Sequence, residues 1–304
     1  MAATSGTKSS APSLGTAFSV TGFWDFVVER HRIWHRRFVE KLPSPWTDDP
    51  ILRQFHFCNI FRDLDKGTIW YTDHVVNASM SLSSATWATI IYRLVNSVWI
   101  FEQLGPAAFD RKRWRGMIAE IRARDILLNS EAYLTFPWPH KFKGEGSRTD
   151  RFEYILGRLE LEFDGVVHDL HDAKTLQEVG ERLKTIYGIG PFLSLQIYRD
   201  LILASFLSFD TNDWVEIGVG ALNSLRSLFG AEARTDKRRH ELIYELTIDQ
   251  DRQLAKRGWP KFEGRNLTAC DIENCLCEYN KYAKLVAGRG RRRYYRRSQN
   301  VIQG

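Results

Sequence analysis

At 304 residues, 43% hydrophobic and 26% charged, the sequence excludes a disordered chain and is long enough for one large domain or two small ones. The formal net charge of +6 sits in one place: after Gly288 the chain carries Arg289, Arg291, Arg292, Arg293, Arg296 and Arg297 with no acid, and these equal the whole excess. The remainder is balanced, which excludes a global field for nucleic acid and requires any DNA surface on the body to be a local patch.

Residues 1–18 are polar and rich in small side chains; they read as a disordered leader without the apolar core of a signal peptide. From Phe23 the pattern turns helical, with Phe23, Val27, Trp34 and Phe38 recurring at helical spacing until Pro43 and Pro45 stop it. Thr47, Asp48 and Asp49 offer caps to a second helix over 50–64, which sets Leu52, Phe55, Cys58 or Asn59, and Arg62 near one face. Further helices are predicted at 66–78, 84–103, 111–128, 150–167, 173–187, 191–207, 218–229, 235–257 and 268–287. No Asn-Gly or Asp-Gly turn separates alternating apolar runs, so the expected fold class is all-α, a helical bundle of two lobes. The stretch 136–149 (FPWPHKFKGEGSRT) is either a linker between lobes or a loop over a site. The helical domain then covers 19–287, followed by a disordered basic tail over 288–304. The most apolar window, 86–101, includes Arg93 and Asn96 and is too short to span a bilayer, so no membrane partner is expected.

Four cysteines are too few for a disulfide framework, and the C-x4-C-x-C spacing of Cys270, Cys275 and Cys277 is not that of a zinc site. His168 and His171, flanked by acids, read as a polar helix end. Neither a metal nor a cofactor is expected.

The sharpest local signal is Tyr187-Gly188-Ile189-Gly190-Pro191-Phe192, between two helical patterns. Gly188 and Gly190 permit a tight turn, and Pro191 suits the first turn of the next helix. This is the pattern of a helix-hairpin-helix, whose backbone N–H groups can hold a DNA phosphate without reading sequence. Lys184 lies just before the turn as a further phosphate contact. Two basic stretches mix cations with aromatics: Arg30, Arg32, Arg36, Arg37 and Lys41 around Trp34, and Arg111, Lys112, Arg113 and Arg115 around Trp114. Each is either a DNA backbone contact with stacking or a solvated helix face. The tail, with Arg292 at its centre, is a DNA grip or a nuclear-import address.

Three blocks taken together carry a family resemblance. The first is Pro45-Trp46-Thr47-Asp48-Asp49-Pro50-Ile51-Leu52 with Phe57-Cys58-Asn59-Ile60-Phe61-Arg62-Asp63-Leu64-Asp65. The second is Gly188-Ile189-Gly190-Pro191-Phe192 with Gln196, Ile197 and Asp200, followed by Gly218-Val219-Gly220-Ala221. The third is Asp271-Ile272-Glu273-Asn274 with Leu276-Cys277-Glu278-Tyr279-Asn280-Lys281-Tyr282. The set resembles the helical domain of 5-hydroxymethyluracil DNA kinases and is similar to the related amino-acid:DNA transferases. It implies a divergent DNA-glycosylase-like fold with a helix-hairpin-helix, DNA as partner, and chemistry on the 5-hydroxymethyl group of a modified base. In hairpin glycosylases an Asp follows the hairpin by about twenty residues; Asp210 and Asp213 fall there, but the usual Asp-x-His-Val is absent.

No G-x-x-x-x-G-K-[ST] occurs in these residues, so they hold no phosphate cradle of the P-loop kind. The resemblance then implies transfer of a group to the 5-methylene of a modified base with loss of pyrophosphate. Such a step asks for cations to neutralise the leaving group and a base for the incoming amine. Arg62 is the first candidate cation, with Lys184 and Lys281 behind it. Asp63, Asp213 and Glu273 are candidates for the base or for orienting that cation. Asn59 is either a contact to the base edge or a buried polar group. Two alternatives stand beside this reading: a non-catalytic DNA-binding module that partners a separate kinase, and a divergent helix-hairpin-helix glycosylase. Either way the protein is expected inside the cell, and in the nucleus if its host is a eukaryote.

Overall fold

The computed structural model describes residues 18–76, 79–128, 146–260, 262 and 264–289. Among these there are twelve α-helices and no strand, in agreement with the all-α expectation. In chain order they are α1 (Val20–Phe38), α2 (Pro50–Gln54), α3 (Lys66–His74), α4 (Leu82–Val95), α5 (Val98–Leu104), α6 (Trp114–Ala123), α7 (Arg148–Asp172), α8 (Leu176–Thr185), α9 (Pro191–Leu203), α10 (Val219–Phe229), α11 (Asp236–Ala255) and α12 (Ala269–Val286). The expected leader up to residue 17, the tail from residue 290 with Arg292, and most of the 136–149 stretch lie outside the described residues. Among the described residues no helix is long and apolar enough to cross a membrane.

The helices form two compact units, one of residues 1–62 with 218–304, the other of residues 63–217. The division therefore falls at 62/63 and 217/218, not within 136–149. Its cause is visible in the packing of the first unit: both α1 and α2 lie against α12, so the first two helices join the last one across the intervening second unit of sequence.

In the second unit α4 is the central helix, buried at every position from Ala85 to Val95. A charge on such a helix must be paired. Arg93 is: its Nε and Nη2 donate to the two carboxylate oxygens of Asp200 on α9, each at 2.6 Å, with side chains only 3% and 5% exposed. Its Nη1 donates to Asn96 Oδ1 at 3.0 Å. Asn96 itself corrects the expected continuous helix over 84–103. It adopts the left-handed conformation (φ 48°, ψ 51°), which Asn tolerates better than other residues with a Cβ, and it ends α4 before α5 begins.

The hairpin sequence folds as two helices joined by a tight turn. A capping box of Thr175 and Glu178 starts α8, and Gly188 turns the chain at φ 88°. Gly190 precedes α9 with Pro191 in its first turn. Ser194 Oγ donates to the Gly180 carbonyl at 3.0 Å and pins α9 to α8.

In the first unit α1 contributes Phe23 and Phe26 to an aromatic core with Tyr279 and Tyr282 of α12. Helix α10 approaches α12 through Gly220, where a Cβ would stand 3.2 Å from the Cys277 Cα. The second helix is shorter than expected. Asp49 caps it, accepting from Ile51 and Leu52 N–H, but it ends at Gln54 and residues 55–61 run without helix. The reason is long-range: Arg30 of α1 donates to the carbonyls of Phe57 (3.1 Å) and Cys58 (3.0 Å) and to Asn59 Oδ1 (2.8 Å). Backbone acceptors that a helix would use internally are thus satisfied from outside, while Phe55, Phe57, Ile60 and Phe61 are buried.

Removing the carboxylate from Asp200 strands the Arg93 charge in the core. Asp200→Ala should cost about 3–5 kcal/mol of stability, read as a lowered urea midpoint. A loss within about 0.5 kcal/mol, the range of neutral surface changes, would show that the pair does not organise the second unit.

Candidate functional site

The non-helical segment 55–61, with Arg62 opening a 3-10 turn after it, and helix α12 meet inside the first unit, and their meeting point is polar. Glu278 Oε2 accepts the Cys58 N–H at 2.9 Å and lies 2.6 Å from Lys281 Nζ, one helical turn on. Asn274 Nδ2 donates to the Asn59 carbonyl at 3.1 Å. The Lys281 ammonium also stands 4.5 Å above the centre of the Phe57 ring, a cation–π geometry. Arg62, buried, closes the segment, and its charge reaches Glu278.

Electrostatics follow from this geometry. Burial works against ionisation of Glu278, but the Lys281 charge and hydrogen bond, the Cys58 N–H and Arg62 outweigh it and hold the carboxyl below the usual carboxylate range. Burial likewise opposes the charge of Lys281, and Glu278 reverses that, so the ammonium is held above its ordinary value. Burial, then the charges of Glu273 and Glu278, push the Cys277 thiol well up, which keeps it neutral. The cluster holds one carboxylate and two cations, and Lys281 is 35% exposed against 12% for Glu278. Its more accessible side chain is therefore the lysine, backed by a carboxylate. That arrangement suits an anionic group better than proton abstraction, because a carboxylate with a depressed pKa is a weak base.

Neighbouring contacts fix the walls. Glu273, 1% exposed, accepts the Gly218 N–H at 3.0 Å and so holds the start of α10. Phe61, next to Arg62, meets His31 edge-on at 5.5 Å, and Arg265 lies over the Phe61 ring at 4.7 Å. His31 in turn stacks on Trp259 at 4.2 Å, and burial lowers its pKa to about 4.

Of the residues singled out from sequence, Arg62, Lys281, Glu273 and Asn59 belong to this unit. Arg62 and Lys281 both act on Glu278; Asn59 is held by Arg30 and Asn274, and Glu273 by Gly218. Arg30 is engaged with residues 57–59, and Arg36 bonds Glu29 (3.1 Å) and the Trp46 carbonyl (2.6 Å). Asp63 and Asp213 belong to the second unit. There Asp213 is exposed and lines a small cavity of about 240 Å³ with Phe209, Trp214 and the start of α8. Lys184 pairs with the buried Glu216 at 2.8 Å, whose carboxylate also accepts the Trp214 indole N–H at 3.3 Å. Arg113 is exposed beside α6, whereas Arg115 and Arg122 pair with Glu160, Asp150 and Glu153 on α7. Among the described residues no cluster of His, Cys, Asp and Glu is disposed to hold a metal ion. Sequence reasoning did not single out Glu278. Its one local sign is the Glu-x-x-Lys spacing to Lys281; its contact with Cys58 spans 220 residues.

Known proteins share this sequence pattern. The family model described as "5-hmdU DNA kinase, helical domain" matches residues 18–291. A "5-hmdU DNA kinase" of Bacillus phage SP10 is 25% identical over 291 residues, covering 87% of this chain. The chain spans about 45% of that relative's length. No solved structure matches.

The linkage of Glu278 to stability has a definite sign. Its folded pKa lies below the unfolded value, so its contribution is present above about pH 4.3 and fades as pH falls through the folded value. Glu278→Gln should therefore be less stable than the wild type at pH 7, with a gap that closes in acid below about pH 4. His31 adds a separate loss common to both proteins, between about pH 6.5 and its folded value of about 4. Unfolding free energies measured from pH 7 to 3 check this, and a gap independent of pH would contradict it.

Proposed function

This chain belongs to the family of 5-hmdU DNA kinase helical domains, and we propose from that premise that it handles DNA at a 5-hydroxymethylated pyrimidine in a base-hypermodification pathway. Its chemistry on this reading is group transfer: an amine nitrogen attacks the 5-methylene carbon of a pyrophosphorylated base. The bond from that carbon to oxygen breaks, pyrophosphate leaves with the electron pair, and the nitrogen of the new C–N bond gives up a proton to solvent. One observation carries the reading. Two of the sequence blocks behind the resemblance, 57–62 and 271–281, converge on the Glu278–Lys281–Arg62 cluster, and a third, 218–221, is tied to it through Glu273.

Each residue then has a part. Half-buried Lys281 and buried Arg62, whose charges both reach Glu278, neutralise the pyrophosphate as its charge develops. Glu278 is a positioning residue that keeps Lys281 charged and aimed. Asn59, its backbone and side chain both held, presents a fixed polar group beside them.

The turn between α8 and α9 supports DNA contact in the second unit. Gly190 has φ −99°, which any residue adopts, and nothing within 4 Å of where a Cβ would stand. Neither backbone nor packing requires glycine there, which leaves an approaching phosphate as the reason to omit a side chain at the start of α9. Gly188, at φ 88°, shapes the turn itself. Gly190→Ala should weaken duplex binding by roughly 1–3 kcal/mol, the worth of a charge-assisted hydrogen bond, in a protein of unchanged helicity. Wild-type affinity in that variant would remove the turn from the DNA surface.

The chemical proposal is tested on DNA carrying pyrophosphorylated 5-hydroxymethyluracil, incubated with a panel of amino acids and polyamines. Nucleosides are then analysed by mass spectrometry. Wild type should release pyrophosphate and yield an aminated nucleoside. Lys281→Met should lose turnover by about a hundredfold or more while binding unmodified duplex almost as before, because such DNA has no leaving group. Wild-type turnover in that variant would contradict the assignment. No product from the wild type would sink the transfer chemistry and leave a DNA-binding module.

A further inference from the structure

We propose that a groove between the C-terminal halves of α10 and α12 binds a DNA strand through its phosphates, a contact that rests on the DNA-handling reading above and adds a second surface to it. The groove has a volume of about 670 Å³ and is lined by Asn223, Arg226 and Ser227 of α10 and by Asn280 and Lys284 of α12, with Arg289 just beyond. Phe18 edges it and is exposed.

Three features of the first unit point to phosphate. The lining holds three cations and no acid. Several other cations of this unit are matched internally: Arg238 with Glu232 and Glu245, Arg252 with Asp249, Arg257 with Asp25, Lys281 with Glu278. Among the described residues Arg226, Lys284 and Arg289 have no such carboxylate. Helix dipoles favour a cation in each last turn, but they do not explain why three cations share one groove with two amides and a hydroxyl. Those neutral groups donate hydrogen bonds without adding negative charge, which is the company phosphate oxygens need.

The dimensions agree. On α10 the lining residues sit at i, i+3 and i+4; on α12 Asn280 and Lys284 are four apart, with Ala287 three further on. Seven residues of helix rise about 10 Å, close to three phosphate-to-phosphate steps along the axis of one duplex strand, at about 3.4 Å each. The Arg289 N–H donates to the Lys284 carbonyl at 2.7 Å, which turns the backbone after α12 beside the groove.

The test is fluorescence anisotropy of the full chain on a mixed-sequence unmodified duplex, over a series of salt concentrations. Replacing Arg226 and Lys284 by Gln together should lower the slope of log affinity against log salt by about two, at roughly 0.9 for each phosphate no longer neutralised. The charge-keeping pair Arg226→Lys with Lys284→Arg should retain the slope. Arg289→Gln, at an exposed position where folding is not at stake, should lower it by about one. A folded double-Gln variant with the wild-type slope, or an unchanged slope in Arg289→Gln, overturns the groove while the DNA reading stands. If the wild-type chain itself does not bind the duplex, the reading and the groove fall together.

Discussion

Glu278 is a carboxylate inside the first unit, and its surroundings are arranged to keep it charged. Left alone, burial would protonate it. Lys281 one turn on, the Cys58 N–H and the Arg62 guanidinium prevent that, and in doing so they determine three other things. The chain cannot continue as helix beyond Gln54, because its Cys58 N–H is taken by α12 and its carbonyls by Arg30. The Lys281 ammonium is pulled onto the Phe57 ring and kept charged. Burial first, then the charges of Glu273 and Glu278, keep the neighbouring Cys277 thiol from ionising.

This arrangement needs α10 and α12 to lie close. Gly220 allows the approach to Cys277, Glu273 takes the N–H of Gly218 at the start of α10, and Ser224 Oγ donates to the Leu276 carbonyl at 2.6 Å. Helix α12, which carries Glu278 and Lys281 of the polar cluster, also lines the cationic groove with α10 through Asn280 and Lys284. The second unit solves its own buried-charge problem differently, with Arg93 and Asp200 in a two-pronged pair at its central helix.

The all-α class and most helix positions were legible because local rules decide them. Asp49 and Thr175 stand where caps are expected, and Pro191 opens a helix as its fixed φ allows. What was misread depends on distant partners. Leu52, Phe55, Asn59 and Arg62 keep helical spacing, yet the segment leaves the helix because Arg30 and Glu278 capture its backbone. Asn96 breaks a smooth apolar run because its side chain is held by Arg93 in a conformation that periodicity does not reveal. The site was half legible: the blocks around Arg62 and Lys281 stood out by resemblance, whereas Glu278, which joins them, looked like one more charge on a helix face. Arg30 and Lys184 show the converse, since cations that read as DNA contacts are bonded within the fold.

The central claim is that the modified base meets the Glu278–Lys281–Arg62 cluster. It is tested most directly by photo-crosslinking. A duplex carrying a single pyrimidine with a diazirine on its 5-substituent is bound to the full chain and irradiated, and the attached peptides are sequenced by mass spectrometry. The account predicts attachment within 57–62 and 273–281. Attachment confined to peptides outside the first unit would contradict it.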